Sequence, residues 1–179
     1  MKTTIYARMI FTLAFVVFFG NTINTNAALS KKKTVLIHVV TNIKKDDGPP
    51  CVAFDMALTY VELGYKVEML FDADAAWNLK LFGKDRKNDF DRYEVPADLK
   101  KLVTQQFKND SFLKVKDFGE FLSYLSKKGV KIYVNGTWNV LTSVEKTLKG
   151  KENISAYLIP LTLKEMAEIL SSANIYMRY

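Results

Sequence analysis

Residues 129–139 read Gly-Val-Lys-Ile-Tyr-Val-Asn-Gly-Thr-Trp-Asn, and this stretch decides the predicted fold. Gly129 is placed to end a helix, residues 130–134 form a short apolar strand, and the turn after them leads into another helix. A buried strand between two helices is typical of an α/β protein with a parallel sheet. Ligands of such sheets bind beyond the carboxyl ends of the strands. The residues expected at this functional position are Asn135, Gly136, Thr137 and Trp138.

Four further segments have the length and apolar character of strands, and they alternate with segments of helical periodicity. The five strands are predicted at residues 34–40, 66–71, 130–134, 154–159 and 175–177. Pro160 is expected to break the fourth strand. Together these segments predict a single three-layer α/β/α domain with a five-stranded, mainly parallel sheet.

The helices are predicted from their start and stop signals. They are expected at residues 49–63, 96–107, 116–128, 138–150 and 163–171. Thr162 and Glu165 form a capping box at the start of the last helix. Residues 72–95 combine charged and aromatic side chains without a regular period, which indicates an excursion packed on the surface or on a neighbouring subunit.

The first 27 residues have the layout of a secretory signal peptide. A positively charged start precedes an apolar run at residues 9–19, which is shorter than the about 20 residues of a membrane span. Thr25 and Ala27 supply small side chains for cleavage after Ala27. We expect a mature domain of residues 28–179, a periplasmic or secreted location and no stable membrane insertion after cleavage. The lysines at residues 31–33 weaken the orientation signal, so an uncleaved anchor is the alternative.

Composition and residue counts exclude several classes of function. The chain is 49% hydrophobic with a net charge of +7, but its lysines are scattered, which favours a solvated surface over a nucleic-acid site. An anionic partner or membrane headgroups are the alternative. Cys51 is the only cysteine and His38 the only histidine, which excludes an intrachain disulfide and the usual zinc, haem and iron–sulfur spacings. No metal site is predicted, and the absence of nucleotide-binding motifs predicts no cofactor.

Cys51 is the only residue that could carry sulfur covalently. It is predicted in the first turn of the first helix, where the helix dipole stabilises a thiolate. Nearby Lys44 and Lys45 would favour the thiolate, while Asp46 and Asp47 would oppose it. The alternative is a small apolar side chain packed at the sheet edge.

Three other candidate residues could transfer protons. His38 could act as a base for Cys51 or remain a neutral, hydrogen-bonded core histidine. Asp72 and Asp74 follow the second strand and could act as acid and base, hold a cation or simply be solvated.

The turn at residues 135–138 could bind a small anion through backbone N–H groups, with Trp138 as a wall. Alternatively, Thr137 caps the helix and Trp138 packs against a subunit.

Several of these segments together resemble the DsrE/DsrF-like family over most of the mature chain. They are residues 34–40, the helix Val-Ala-Phe-Asp-Met-Ala-Leu-Thr-Tyr-Val-Glu-Leu-Gly, and residues 66–71, 129–137 and 162–179. The resemblance implies a five-stranded parallel sandwich, assembly as trimers or hexamers or with related subunits, and a link to sulfur-relay systems such as the Dsr and Tus complexes. Many members read approximately Val-Tyr-Val-Cys-Gly-Thr-Cys at residues 132–138. Here Asn135 and Trp138 stand where sulfur-carrying thiols would be.

The sequence therefore leads to three functional hypotheses. The first is an exported DsrE-like protein that binds a sulfur-relay partner as an accessory subunit, without chemistry of its own. The second is a sulfur-transfer protein with Cys51 as persulfide acceptor. The third is a hydrolase that uses Asp72 or Asp74.

Overall fold

The structure is a computed structural model that describes residues 32–179; the predicted signal peptide and its cleavage site lie outside this range. The described residues contain one sheet of five strands in the order β4-β3-β2-β1-β5, with all neighbouring strands parallel. This architecture confirms the predicted α/β/α fold class. The strands are β1 (Thr34–Val39), β2 (Lys66–Phe71), β3 (Lys131–Asn135), β4 (Leu158–Leu161) and β5 (Ile175–Arg178).

Six α-helices connect these strands in the described part of the chain. They are α1 (Gly48–Glu62), α2 (Ala73–Trp77), α3 (Ala97–Phe107), α4 (Phe118–Lys127), α5 (Gly136–Leu141) and α6 (Leu163–Ser172). Two short 3₁₀ helices lie at Phe90–Arg92 and Asp110–Lys114. The capping box of Thr162 and Glu165 is present at α6 as predicted. Between residues 32 and 179, none of the helices has the length and hydropathy that a membrane span requires.

The two faces of the sheet are covered unequally. From β1 to β4 the chain moves across the sheet in one direction, and right-handed crossovers put the connecting helices on the same face. This large-core face carries alternate strand residues such as Ile37, Met69 and Val134, packed with residues of α1 and α4. The chain then returns from β4 to β5 through α6, which lies on the opposite face, hereafter the α6 face. Its smaller cluster contains Leu36, Leu70, Tyr133, Leu161 and Met166.

The fourth strand differs from its prediction. It spans Leu158–Leu161, so Pro160 lies inside it and pairs in register with Val134, and the prediction that Pro160 breaks the strand is wrong. Because β4 is an edge strand, the missing N–H of proline does not disrupt a ladder on both sides.

The helix predicted at residues 138–150 is also wrong beyond its first turns. It ends at Leu141, and the N–H groups of Val144 and Glu145 both bond to the carbonyl of Asn139 to close a turn. The spacing of Val140, Leu141, Val144 and Leu148 predicts one apolar helix face, but Val144 is buried, while Leu141 is 72% exposed. The apolar spacing therefore did not mark a continuous helix.

Residues 72–95 contribute to the core, so their prediction as a surface excursion is wrong. Ala75, Ala76, Leu79 and Phe90 are fully buried. Buried polar groups in the same segment satisfy one another: the Asn78 amide donates to the Asp89 carboxylate at 3.0 Å. The segment looks polar in sequence because these side chains pair with each other inside the fold.

Candidate functional site

Four polar side chains meet near the carboxyl edge of the sheet and form what we call the edge cluster: His38, Asp72, Asn135 and Tyr176. His38 lies near the end of β1, Asp72 directly follows β2, and Asn135 ends β3. Tyr176 comes from β5, which pairs with β1. The sequence singled out the first three residues but not as one group. Tyr176 was missed because nothing local in the sequence places the last strand beside the first.

Asp72 is the centre of the edge cluster. Its Oδ1 accepts hydrogen bonds from the Asn135 amide at 2.7 Å and from the Ala73 N–H at 2.6 Å. Its Oδ2 lies 3.4 Å from Nε2 of His38. The interaction with His38, with smaller contributions from Asn135 and Ala73, outweighs burial and lowers the pKa of Asp72 to about 2. An ionised carboxylate with its oxygens already engaged is a poor general base, which weighs against the hydrolase hypothesis.

His38 connects Asp72 to Tyr176. Its Nδ1 lies 2.9 Å from the Tyr176 hydroxyl, whereas its buried Nε2 faces Asp72 without forming a well-aligned hydrogen bond. His38 shares the α6 face with Leu36, because alternate residues of β1 point the same way. Cys51 lies on α1, which packs on the large-core face. The sheet thus separates the two side chains, and the hypothesis that His38 is the base for Cys51 is wrong.

Cys51 is half-buried in the first turns of α1, as predicted from the prolines before it. Its surroundings do not stabilise a thiolate: burial, followed by the charges of Asp47 and Asp55, raises the pKa of Cys51 to about 11. The lysines expected to help are engaged elsewhere. Lys44 pairs with Asp89 at 3.1 Å, and Lys45 pairs with Asp74 at 2.6 Å. The Cys51 thiol is therefore protonated at neutral pH.

The predicted binding turn, residues 135–138, lies at the expected place beyond β3. Asn135, rather than Thr137, caps α5, because its Oδ1 accepts a hydrogen bond from the Trp138 N–H at 2.9 Å. Gly136 is buried, and a Cβ there would lie 2.1 Å from the carbonyl oxygen of Leu148. Trp138 packs against the large core. Each of these contacts gives the residue a structural role at the junction of β3 and α5.

The remaining candidates for a functional site are a metal centre and a surface groove. In residues 32–179, no three His, Cys, Asp or Glu side chains are grouped closely enough to hold a metal ion. A shallow groove of about 450 Å³ lies elsewhere, beside the 3₁₀ helix Phe90–Arg92 and the start of α4. Its charged lining mixes both signs, with Asp91 and Asp117 beside Lys100 and Lys116. This groove contains none of the predicted site residues.

Comparison with known proteins supports the fold. No protein-family model matches the chain, and no curated protein matches it in sequence. Among solved structures, the crystal structure of the ychN protein from E. coli matches with a TM-score of 0.51 and 13% identity, over 83% of this chain and 99% of that chain. At this identity the likeness is one of fold alone. The chain has the five-stranded α/β/α architecture of DsrE/DsrF-like proteins.

Proposed function

We propose that the chain is an exported DsrE-like protein that acts by binding, as a non-catalytic partner or accessory subunit linked to sulfur metabolism. The observation that carries this proposal is the engagement of Asn135. By resemblance this position belongs to a sulfur-carrying thiol, yet here the amide donates to Asp72 and accepts from the Trp138 N–H. The Asn135 amide is hydrogen-bonded through both its nitrogen and its oxygen, so it stabilises the turn. An amide in this position supplies no nucleophile. The link to sulfur metabolism rests on the resemblance of sequence pattern and fold.

The competing function is sulfur transfer through Cys51. The pKa of about 11 for this thiol disfavours it, because a persulfide acceptor reacts as the thiolate. To test it, the mature protein, residues 28–179, is incubated with a persulfide donor and its intact mass is measured. We expect no added sulfur atom, and the Cys51→Ser variant provides the matched background. A stoichiometric adduct that disappears in Cys51→Ser would overturn the binding-only function.

Export to the periplasm or the medium forms part of the proposal. We expect protein recovered from cells to begin at Ala28, since Thr25 and Ala27 supply the small side chains for cleavage. Sequencing the N-terminus of the recovered protein tests this. A chain that still begins at Met1 would contradict cleavage and favour the anchored alternative.

Self-association, as a trimer or hexamer, or assembly with related subunits is the remaining part of the proposal. Exposed apolar side chains on α5, on the edge strand β4 and on α6 support it, since β4 contacts both helices. Leu141 is 72% exposed and Leu163 is 60% exposed. Sedimentation should show an assembly that Leu141→Glu weakens, while Leu113→Glu, on the 3₁₀ helix Asp110–Lys114, leaves it intact. If the protein stays monomeric at all concentrations and also binds no related subunit, this part of the proposal is contradicted.

A further inference from the structure

We propose that His38, Tyr176 and Arg178 form a proton-linked binding site for a small oxyanion on the α6 face of the sheet. The inference rests on the proposed binding role and names the class of ligand that this role would serve. Three observations carry it: the contact between Tyr176 and His38, the ionised carboxylate behind the imidazole ring, and a neighbouring arginine that forms no ion pair within the part of the chain that the structure describes.

The three side chains lead from the buried sheet to solvent. His38 is 8% exposed, whereas Tyr176, whose hydroxyl lies 2.9 Å from its Nδ1, is 48% exposed. Arg178 is two residues beyond Tyr176 on β5, so it lies on the same face, and it pairs in register with His38. Arg178 is exposed, and none of the ion pairs within residues 32–179 includes it. A phenol and a guanidinium group are both suitable donors for an oxyanion.

Asp72 determines how protons are arranged in this chain of contacts. With a pKa of about 2 it stays ionised, and its Oδ2 lies 3.4 Å from Nε2 of His38, an arrangement that favours the tautomer with hydrogen on Nε2. Nδ1 then accepts the Tyr176 O–H, which has no hydrogen left for a ligand. When a solvent proton binds Nδ1, this bond reverses: Nδ1–H donates to the phenol oxygen, and the O–H turns outward. The proton and the anion therefore favour each other's binding.

Two other carboxylates on this side of the sheet, Glu68 and Glu165, are already paired. On the same face, Glu68 pairs with Lys66 at 2.7 Å. The helix α6 contributes the apolar residues Met166, Ile169 and Ala173 to this face, and its Glu165 is bound by Lys149 and Thr162. A protonated His38 would neutralise Asp72 and leave the charge of Arg178 for the anion. The site is thus more attractive to an anion at low pH than at high pH.

Sulfate is a suitable probe because it keeps its charge throughout the range in which histidine titrates, about pH 5 to 8. His38 is the only histidine of the 179 residues, so the imidazole proton resonance of tag-free protein is unambiguous. We expect sulfate, at constant ionic strength, to raise the midpoint of this titration. Calorimetry in two buffers should show uptake of about one proton per sulfate above the midpoint, with affinity falling about tenfold per pH unit there.

Variants of the two donors separate this site from nonspecific binding. Tyr176→Phe and Arg178→Gln should each abolish most of the sulfate-induced change in the His38 midpoint. Their matched controls are Tyr65→Phe, at the amino edge of the sheet, and Arg92→Gln, beside α4 on the large-core side; both should behave as wild type.

A single measurement on the wild type can overturn the proposal, whether or not a variant folds. An unchanged His38 midpoint in saturating sulfate, or sulfate binding without proton uptake, would refute the site. A midpoint change that survives both Tyr176→Phe and Arg178→Gln would do the same. Because sulfate binding does not involve Cys51, a negative result removes this ligand class only. The proposed binding function is judged separately by the persulfide adduct.

Discussion

Two partly buried carboxyl groups, Asp72 and Asp55, are shifted in opposite directions by their surroundings. Asp72 has charged and hydrogen-bonding partners, which lower its pKa to about 2. Asp55 on α1 has a buried Oδ1 without a hydrogen-bond partner, and burial raises the pKa of Asp55 to about 6. The partly buried carboxylate of Asp55 therefore carries an uncompensated electrostatic cost on the helix that also carries Cys51.

Asp55→Asn should stabilise the protein at high pH. Because the folded pKa is raised, the folded state binds more protons than the unfolded chain between about pH 4 and 6, and stability falls as pH rises through this window. We expect the amide to raise the free energy of unfolding by about 1–2 kcal/mol at pH 8, after allowing for partial exposure, and by little at pH 4. Urea unfolding at both pH values measures it. The exposed control Asp98→Asn should change little, and an equal effect of Asp55→Asn at both pH values would contradict the explanation.

At the scale of elements, the junction of β3 and α5 is held by close backbone approach. Gly136 lies against the carbonyl oxygens of Leu148 and Leu161, from the segments that follow α5. Packing therefore requires a glycine in this chain at a position that the family resemblance marks as functional. The glycine allows the chain after α5 to return closely enough for β4 to pair with β3.

Gly136→Ala should be strongly destabilising. Its Cβ would lie 2.1 Å from one backbone oxygen and 2.9 Å from another, so the backbone must move. We expect a loss of about 3 kcal/mol in the free energy of unfolding. Gly64→Ala is the matched control, because Gly64 has φ of +82° but no atom within 4 Å of the added Cβ, so backbone strain alone costs about 1 kcal/mol. Similar losses for the two variants, measured by urea unfolding, would contradict the close-packing explanation.

At the scale of the whole molecule, an aromatic cluster joins distant segments. The ring of Phe54 on α1 lies 5.4–6.1 Å from the rings of Phe71, Phe90, Phe118 and Phe121. These residues come from β2, a 3₁₀ helix and α4. The irregular segment 72–95 is thereby anchored in the same core as the regular elements.

Phe90→Ala should therefore destabilise the whole domain. Phe90 is fully buried, and removing such a ring costs about 3–5 kcal/mol. Phe82→Ala, in the same segment but only half-buried beside Trp77, should cost about 1 kcal/mol or less. Both losses are measured by thermal or urea unfolding. If Phe90→Ala were as mild as Phe82→Ala, the segment would not belong to the cooperative core.

The sequence by itself determined the elements whose signals are local. Residues 66–71 form the predicted strand, α1 begins at the prolines and ends before Gly64, and Thr162 caps α6. β-branched runs, caps and glycines act through a few neighbouring residues, so they can be recognised without the tertiary structure. Regular alternation of such elements was enough to predict the parallel α/β fold. It also placed Asn135 and Asp72 at the carboxyl ends of strands.

Only the tertiary structure decided which of these residues meet. It placed Tyr176 on His38 across 138 residues of chain, shortened α5, included Pro160 in an edge strand and separated His38 from Cys51 by the sheet. It also left Cys51 half-buried beside Asp47 and Asp55, which opposes the thiolate that a helix start alone would favour. Strand order, burial and the electrostatics of a site all depend on contacts between distant segments. No local pattern contains that information.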